Sequence, residues 1–285
     1  MTVLFDGIAS GMLLFLISVG LSVTLGLMGF VNLAHGAFAM LGGYLCVTLL
    51  NRAGVPFLAA LPVVVAGVAL VGVVLERALY RRLYAATHLD QVLFSIGLML
   101  MSISAAHYFF GDQQQPLVLP DFLRGQIAPL GFDIGVYRLF LVVVGLLIAG
   151  ALEWLVRRTR FGARLRAAVD NPRAARGLGI DVNRVFTLAF ALGTALAGLG
   201  GALGVEVLGL DPGFPVKYIV YFLIVVAVGG SGSILGSLVA SLILGIADVT
   251  GKYYLPQVGA FVIYAVMVAM LIVRPQGLFG RAGGR

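Results

Sequence analysis

The chain alternates long apolar runs with short polar segments. Continuous runs extend from about Phe5 to Met28, Leu33 to Leu50, Pro56 to Leu75, Gln91 to Phe110, Arg138 to Val156, Val185 to Leu208 and Gln257 to Val273. Runs of this kind match the roughly 20 residues that a helix needs to cross hydrocarbon. They are continuous rather than alternating, which selects helices over barrel strands, because backbone groups in lipid must be satisfied internally. A further apolar stretch, about Tyr218 to Gly245, is broken by Gly-Gly-Ser-Gly-Ser at 229–233. Glycine and serine weaken a helix, so this stretch is expected to form either two spans or one discontinuous helix. The pattern predicts an all-α polytopic membrane protein with eight to nine transmembrane helices, at least one of them discontinuous. It forms a single transmembrane domain over residues 1–285, with loops too short for a soluble domain. The first run lacks a basic leader and reads as a retained span rather than a cleaved signal.

Composition agrees. The 285 residues are 61% hydrophobic and only 11% charged, against about 25% charged in soluble domains. Mean hydropathy is +1.07. The net charge of +7 is concentrated, since residues 157–184 hold eight of the nineteen Lys and Arg side chains. Basic loops are retained on the cytoplasmic side, and that role accounts for the charge without nucleic acid as a partner. Arg77, Arg81 and Arg82 mark a second inner loop. Asp112, Asp121 and Asp133, set against Arg124 alone, mark an outer segment. Arg274, Arg281 and Arg285 place the C-terminus inside. If 229–233 is a tight inner turn, the spans number nine and the N-terminus lies outside. The single Cys46 excludes a disulfide framework.

The basic segment has structure of its own. Asn171-Pro172 reads as an N-cap followed by proline at the first helical position, with Gly177 and Gly179 as stops. A short helix over Pro172 to Arg176 is expected, lying against the inner face of the membrane. Ala174 and Ala175 would keep its exposed surface small enough to enter a groove in a partner.

Two polar breaks interrupt the apolar pattern. Asn32 and His35 sit among Gly29, Gly36, Gly42 and Gly43, and Gly230 and Ser231 lie in the second break. Polar groups at such depth face protein or a water-filled cavity, and discontinuous helices can line a substrate path. Bonding between neighbouring helices explains Asn32 and His35 equally well. The run containing Gly193, Gly198, Gly200, Gly201 and Gly204 is expected to be buried among other helices. Asp248 and Glu206 read as solvated groups near span ends. No carboxylate or lysine stands in mid-span to carry a coupling ion, as a secondary transporter would need. Nucleotide-binding, metalloprotease and hydrolase motifs are absent, and His35, His88 and His107 are too scattered for a metal site. The chain reads as a transport subunit rather than an enzyme, with no cofactor.

Four motifs in order resemble one known family. Phe161–Ile180 (FGARLRAAVDNPRAARGLGI) is similar to the coupling loop of permease subunits of the branched-chain amino-acid ATP-binding-cassette importers. Residues 32–44 (NLAHGAFAMLGGY), 229–236 (GGSGSILG) and 274–280 (RPQGLFG) are similar to further motifs of that family, in particular of its shorter, LivH-type permease. The resemblance implies a bacterial inner-membrane importer for branched-chain amino acids. It implies a second permease, LivM-like, two cytoplasmic ATP-binding subunits and a periplasmic substrate-binding protein. It assigns Arg160, Gly162, Arg164, Arg166, Asn171, Ala174, Ala175, Gly179 and Ile180 to the coupling pattern. Many members carry an acidic residue where this chain has Ala37, and related permeases import urea, short amides or aromatic acids. An ion-coupled secondary transporter and a non-transport scaffold are the readings outside this class.

Overall fold

A computed structural model describes residues 2–84, 86–127 and 133–279. Its helices follow in the order α1 (Thr2–Met28), α2 (His35–Asn51), α3 (Phe57–Ala78), α4 (His88–Phe110), α5 (Val136–Arg158), α6 (Arg160–Asp170), α7 (Pro172–Gly177), α8 (Val182–Leu208), α9 (Phe214–Gly229), α10 (Ile234–Tyr254) and α11 (Gly259–Val273). Two 3-10 turns, Tyr80–Leu83 and Asp121–Leu123, are added. A two-residue ribbon, β1 (Gln126–Ile127) and β2 (Ile134–Gly135), pairs antiparallel with Gln126 opposite Gly135. Among the described residues, six helices are long and apolar enough to cross a membrane, while α9 and α11 are shorter apolar helices.

Small residues decide what lies at the centre. Helices α1 and α8 are buried along most of their length, whereas α3, α4 and α5 each bury one stripe. A Cβ on Gly42 of α2 would meet the backbone of Gly198 in α8, and one on Gly201 would meet that of Ala39. Gly11 of α1 meets the Ser241–Leu242 backbone of α10 in the same way. Without lipid-excluding force between helices, this close contact supplies the dispersion that holds spans together. The glycine-rich run therefore becomes an axis, with α1 packed between α8 and α10.

Hydrogen bonds sort the connections into two ends. At one end, Asn51 reaches Pro116, Gln115 reaches Leu210, and Arg138 pairs with Asp6. At the other, Tyr80 meets Asn32, Arg81 meets Thr187, and the backbone of Gly232 lies against Gly26. The α9–α10 turn at this second end is closed by residues beyond α11. Leu278 N donates to Val228 O at 2.7 Å and Phe279 N to Gly229 O at 3.3 Å, which satisfies carbonyls that a helix end leaves free.

Several expectations are corrected. The stretch broken at 229–233 forms two separate helices, α9 and α10, the first of the two expected arrangements, but α9 begins at Phe214 rather than Tyr218. Residues 157–184 are not a loop with one short helix. Helix α5 continues to Arg158, α6 and α7 follow, and α8 begins at Val182; Phe161, Leu165, Ala168 and Val169 recur at helical spacing and give α6 an apolar face. Asp248 is not a solvated end group. It is buried in α10 and bonded by Lys252 one turn on, at 2.6 Å. Glu206 is exposed. Arg281 and Arg285 lie outside the described residues.

Candidate functional site: a buried helix break and a basic helical platform

Helix α1 ends at Gly29, whose φ of +66° is a left-handed conformation suited to glycine. Residues 30–34 then turn back along the bundle. His35, the first residue of α2, has its Nε2 2.9 Å from the carbonyl oxygen of Ile17. Ile17 stands eleven residues before Met28, about 16 Å along α1 at 1.5 Å per residue. Helix α2 therefore starts well inside the bundle. Gly36 packs against Pro215 and Phe222 of α9, and Gly20 of α1 lies between His35 and Gly193 of α8. Four helices meet at this histidine, which is 1% exposed.

An extended segment at such depth must find partners for its backbone, and α4 supplies them. Gln91 Oε1 accepts from Val31 N at 3.3 Å, and its amide donates to Leu83 O at 3.2 Å. Ser95 Oγ accepts from Leu33 N at 3.1 Å. Asn32 Oδ1 accepts from Ala34 N at 3.1 Å and from the Tyr80 hydroxyl at 3.0 Å. Gln91, Ser95 and Tyr80 are all buried. Their hydroxyls and amide stand where lipid would leave the segment unsatisfied. Among the described residues, Asn32 Nδ2 and His35 Nδ1 have no partner within the chain. A cavity of about 270 Å³ adjoins the break between α2, α3 and α4, lined by Ala34, Ala37, Phe38, Leu75, Leu98 and Ser102 among others.

Gly230 and Ser231 do not join this break. Gly230 is buried and Ser231 exposed in the α9–α10 turn, which rests on Gly26 near the end of α1. Gly26 and Ile17 are nine residues apart, about 13 Å along the helix.

The basic platform is built from α6, α7 and the start of α8. Thr159 caps α6 by accepting from Gly162 N at 3.3 Å, and buried Gly162 lets α6 fold back on the last carbonyls of α5. Arg166 bonds the Val156 carbonyl, while Arg160 and Arg164 are exposed. Asn171 accepts from Ala174 N at 3.0 Å, and Pro172 follows it at the first helical position. The proline loses nothing there, since that N–H has no partner within the helix. Gly179, at φ +79°, ends α7, and Ile180 N returns to Ala175 O at 3.0 Å. Ala174 is exposed. Ala175 is 2% exposed and packs with Leu165, Ala168, Val182, Val185 and Ala189. The two alanines thus face opposite ways, one outward and one into the platform. A second cavity, about 650 Å³, opens beside it between Phe161, Arg164, Ile180 and Arg184.

Between platform and break lies Glu76, which is 0% exposed at the end of α3. Its carboxylate accepts from Thr187 Oγ1 at 2.7 Å and from the Tyr84 hydroxyl at 3.0 Å, and it pairs with Arg81 at 3.4 Å. Burial, and next the neighbouring Glu76, push the Tyr84 phenol above its ordinary value, so it remains a donor. The sequence reading missed Glu76, Tyr80, Gln91 and Ser95. The polar character of Gln91 and Ser95 just inside an apolar run was the available signal.

A helical membrane bundle with a deep, hydrogen-bonded break and a basic helical platform at one end defines a polytopic transport-type protein. The chain belongs to the family described as branched-chain amino acid transport system / permease component, which it matches over residues 3–271. It is 28% identical to the high-affinity branched-chain amino acid transport system permease protein BraD of Pseudomonas aeruginosa, over 98% of this chain and 95% of that protein. It is 29% identical to the corresponding permease protein LivH of Escherichia coli K12, over 98% of this chain and 94% of the relative. A probable branched-chain amino acid transport permease protein LivH of Methanocaldococcus jannaschii is 31% identical over 94% and 89%. No solved structure matches the chain.

Proposed function

We propose that the chain is the membrane-spanning permease of an importer for branched-chain amino acids in a bacterial inner membrane, driven by separate ATPases. The family and the full-length similarity to branched-chain permeases support the substrate class. The observation that carries the mechanism is the Asn32–His35 break, buried where α1, α2, α8 and α9 meet. In this reading Asn32, His35 and Gly36 line the substrate path, and Gly230 and Ser231 border its inner end. Helix α7, with Arg173, Ala174 and Arg176 exposed, docks on a cytoplasmic ATP-binding subunit. A second permease, a second ATP-binding subunit and a periplasmic binding protein complete the assembly. No engine is built into the chain itself.

Charge supports the orientation. The end bearing the platform carries twelve described arginines, while the other end carries five basic side chains. Basic ends stay inside, so nine spans run from an outer N-terminus to an inner C-terminus, with α2, α9 and α11 as the short spans.

The test is uptake of labelled leucine into proteoliposomes holding the permease pair. Uptake that requires ATPase subunits, ATP and binding protein is expected. Uptake by the permease alone, driven by an ion gradient, would replace this reading with a secondary transporter.

A further inference from the structure

Two polar clusters that serve no obvious purpose in packing lie between the platform and the break, and they share one short turn. Glu76 on α3 is the acceptor at the centre of the first cluster, holding Thr187 of α8 and Tyr84. Arg81 bridges them, donating to Thr187 Oγ1 at 2.9 Å while facing the Glu76 carboxylate at 3.4 Å. Tyr80, the residue before Arg81, belongs to the second cluster and donates to Asn32. Thr187 stands in the second turn of α8, whose first residues pack with Ala175 and α6 as one apolar unit. Displacing α7 therefore displaces Thr187. The 80–84 turn grips Thr187 and Glu76 on one side and the broken segment on the other.

A buried carboxylate is a costly way to pin two helices together, and a well-packed apolar pair of the same volume often does as well or better. A polar clasp offers what an apolar pair does not, namely discrete bonded arrangements that can be exchanged. The Arg81 contacts to Glu76, at 3.4 and 3.5 Å, are long, and the Arg81 side chain is 37% exposed. This side of the clasp is the one able to open towards water.

We propose that Glu76, Arg81, Thr187 and Tyr80 form a clasp that passes movement of the docking platform to the Asn32–His35 break. They are positioning residues, and none touches substrate in this scheme. The proposal rests on the reading of the chain as an ATP-driven permease.

The experiment uses the complete importer in proteoliposomes and measures substrate imported per ATP hydrolysed, alongside the amount of assembled complex. Thr187→Val removes the hydroxyl that bonds both Glu76 and Arg81 while keeping side-chain volume. Tyr80→Phe removes one hydroxyl and keeps the ring packed, tilted, against Phe190. Each is expected to leave assembly and basal ATP hydrolysis near the parent level. Each should lower import per ATP by about tenfold or more, within the range typical of coupling between sites. Thr187→Ser, which restores the hydroxyl, should recover it. If Thr187→Val does not assemble, Tyr80→Phe alone decides. Unchanged import per ATP in the assembled variants overturns the clasp, as does a parallel fall in import and hydrolysis. If the parent importer shows no ATP-dependent uptake, it is the proposed function that fails instead.

Discussion

His35 Nε2 lies 2.9 Å from the carbonyl oxygen of Ile17, eighteen residues earlier in the chain. A side chain that begins one helix thus bonds the interior of another, where an α-helix normally offers its carbonyls only to itself. The bond fixes how deep α2 starts. His35→Leu removes it and places an apolar group at the four-helix junction. Interhelical hydrogen bonds in membranes contribute only about 0.6–1.7 kcal/mol, so the variant is expected to insert at near-parent levels and to lose most uptake. Quantifying membrane-inserted protein beside uptake checks this. An equal loss of both would assign His35 to packing.

Gln91 and Ser95 carry the backbone of the broken segment. Gln91→Leu strips the partner from Val31 N inside the bundle, and an unsatisfied buried donor costs about 1–3 kcal/mol. Thermal unfolding in detergent should fall by several degrees for Gln91→Leu, and further when Ser95→Ala is added. A melting point equal to the parent's would show that the segment finds other partners.

At the platform, Ala174→Glu sets a larger charged side chain on the exposed face of α7 without touching Ala175 beneath. Normal insertion is expected, with loss of co-purified ATP-binding subunit and of uptake. Asn171→Ala acts more mildly, through a lost cap of about 0.5–2 kcal/mol, and should weaken association without abolishing it. Retained association and uptake in Ala174→Glu would remove α7 as the coupling element.

Orientation is checked by labelling. Cys46 is buried and leaves a quiet background. Ala174→Cys should resist a membrane-impermeant thiol reagent applied from outside, and Gln114→Cys should react. The reverse pattern would invert the topology. Gly283, a further inner position for the same test, lies outside the described residues.

Close contact along the axis can be probed directly. Gly42→Val forces a side chain into the backbone of Gly198, and overpacking costs about 1–3 kcal/mol or more. The yield of folded protein in the membrane should drop, whereas Gly97→Ala on α4, where nothing crowds the position, should leave it unchanged.

The apolar runs matched most of the helices to within a few residues because length and continuity are local properties, but α10 runs on to Tyr254, nine residues past the expected Gly245. The cap at Asn171 was equally legible, since its donor is three residues away. Helix α6 was obscured by Arg160, Arg164 and Arg166. Their charge drew attention to topology, although Leu165 and Ala168 between them already carried helical spacing. The partners of residues 31–33 were hidden for a different reason. Tyr80 is 48 residues away, and the Gln91 and Ser95 bonds span 60 and 62 residues. A sequence shows that a polar side chain is present inside an apolar run, but only the folded bundle shows which carbonyl or amide it meets. Glu76 stands beside Arg77 where an apolar run ends, and a carboxylate there needs no special explanation until its burial is seen.

The bonds from Leu278 and Phe279 to the carbonyls of Val228 and Gly229 bear on how the protein is made. Residues 277–279 leave the ribosome only after α11, yet they finish the turn between α9 and α10. During synthesis, the facing ends of these helices therefore stay unsealed until α11 has emerged. A ribosome that stalls within α11 leaves α9 and α10 made and the turn between them still open. The turn is local in sequence, yet its last two hydrogen bonds wait for residues about 45 positions further on.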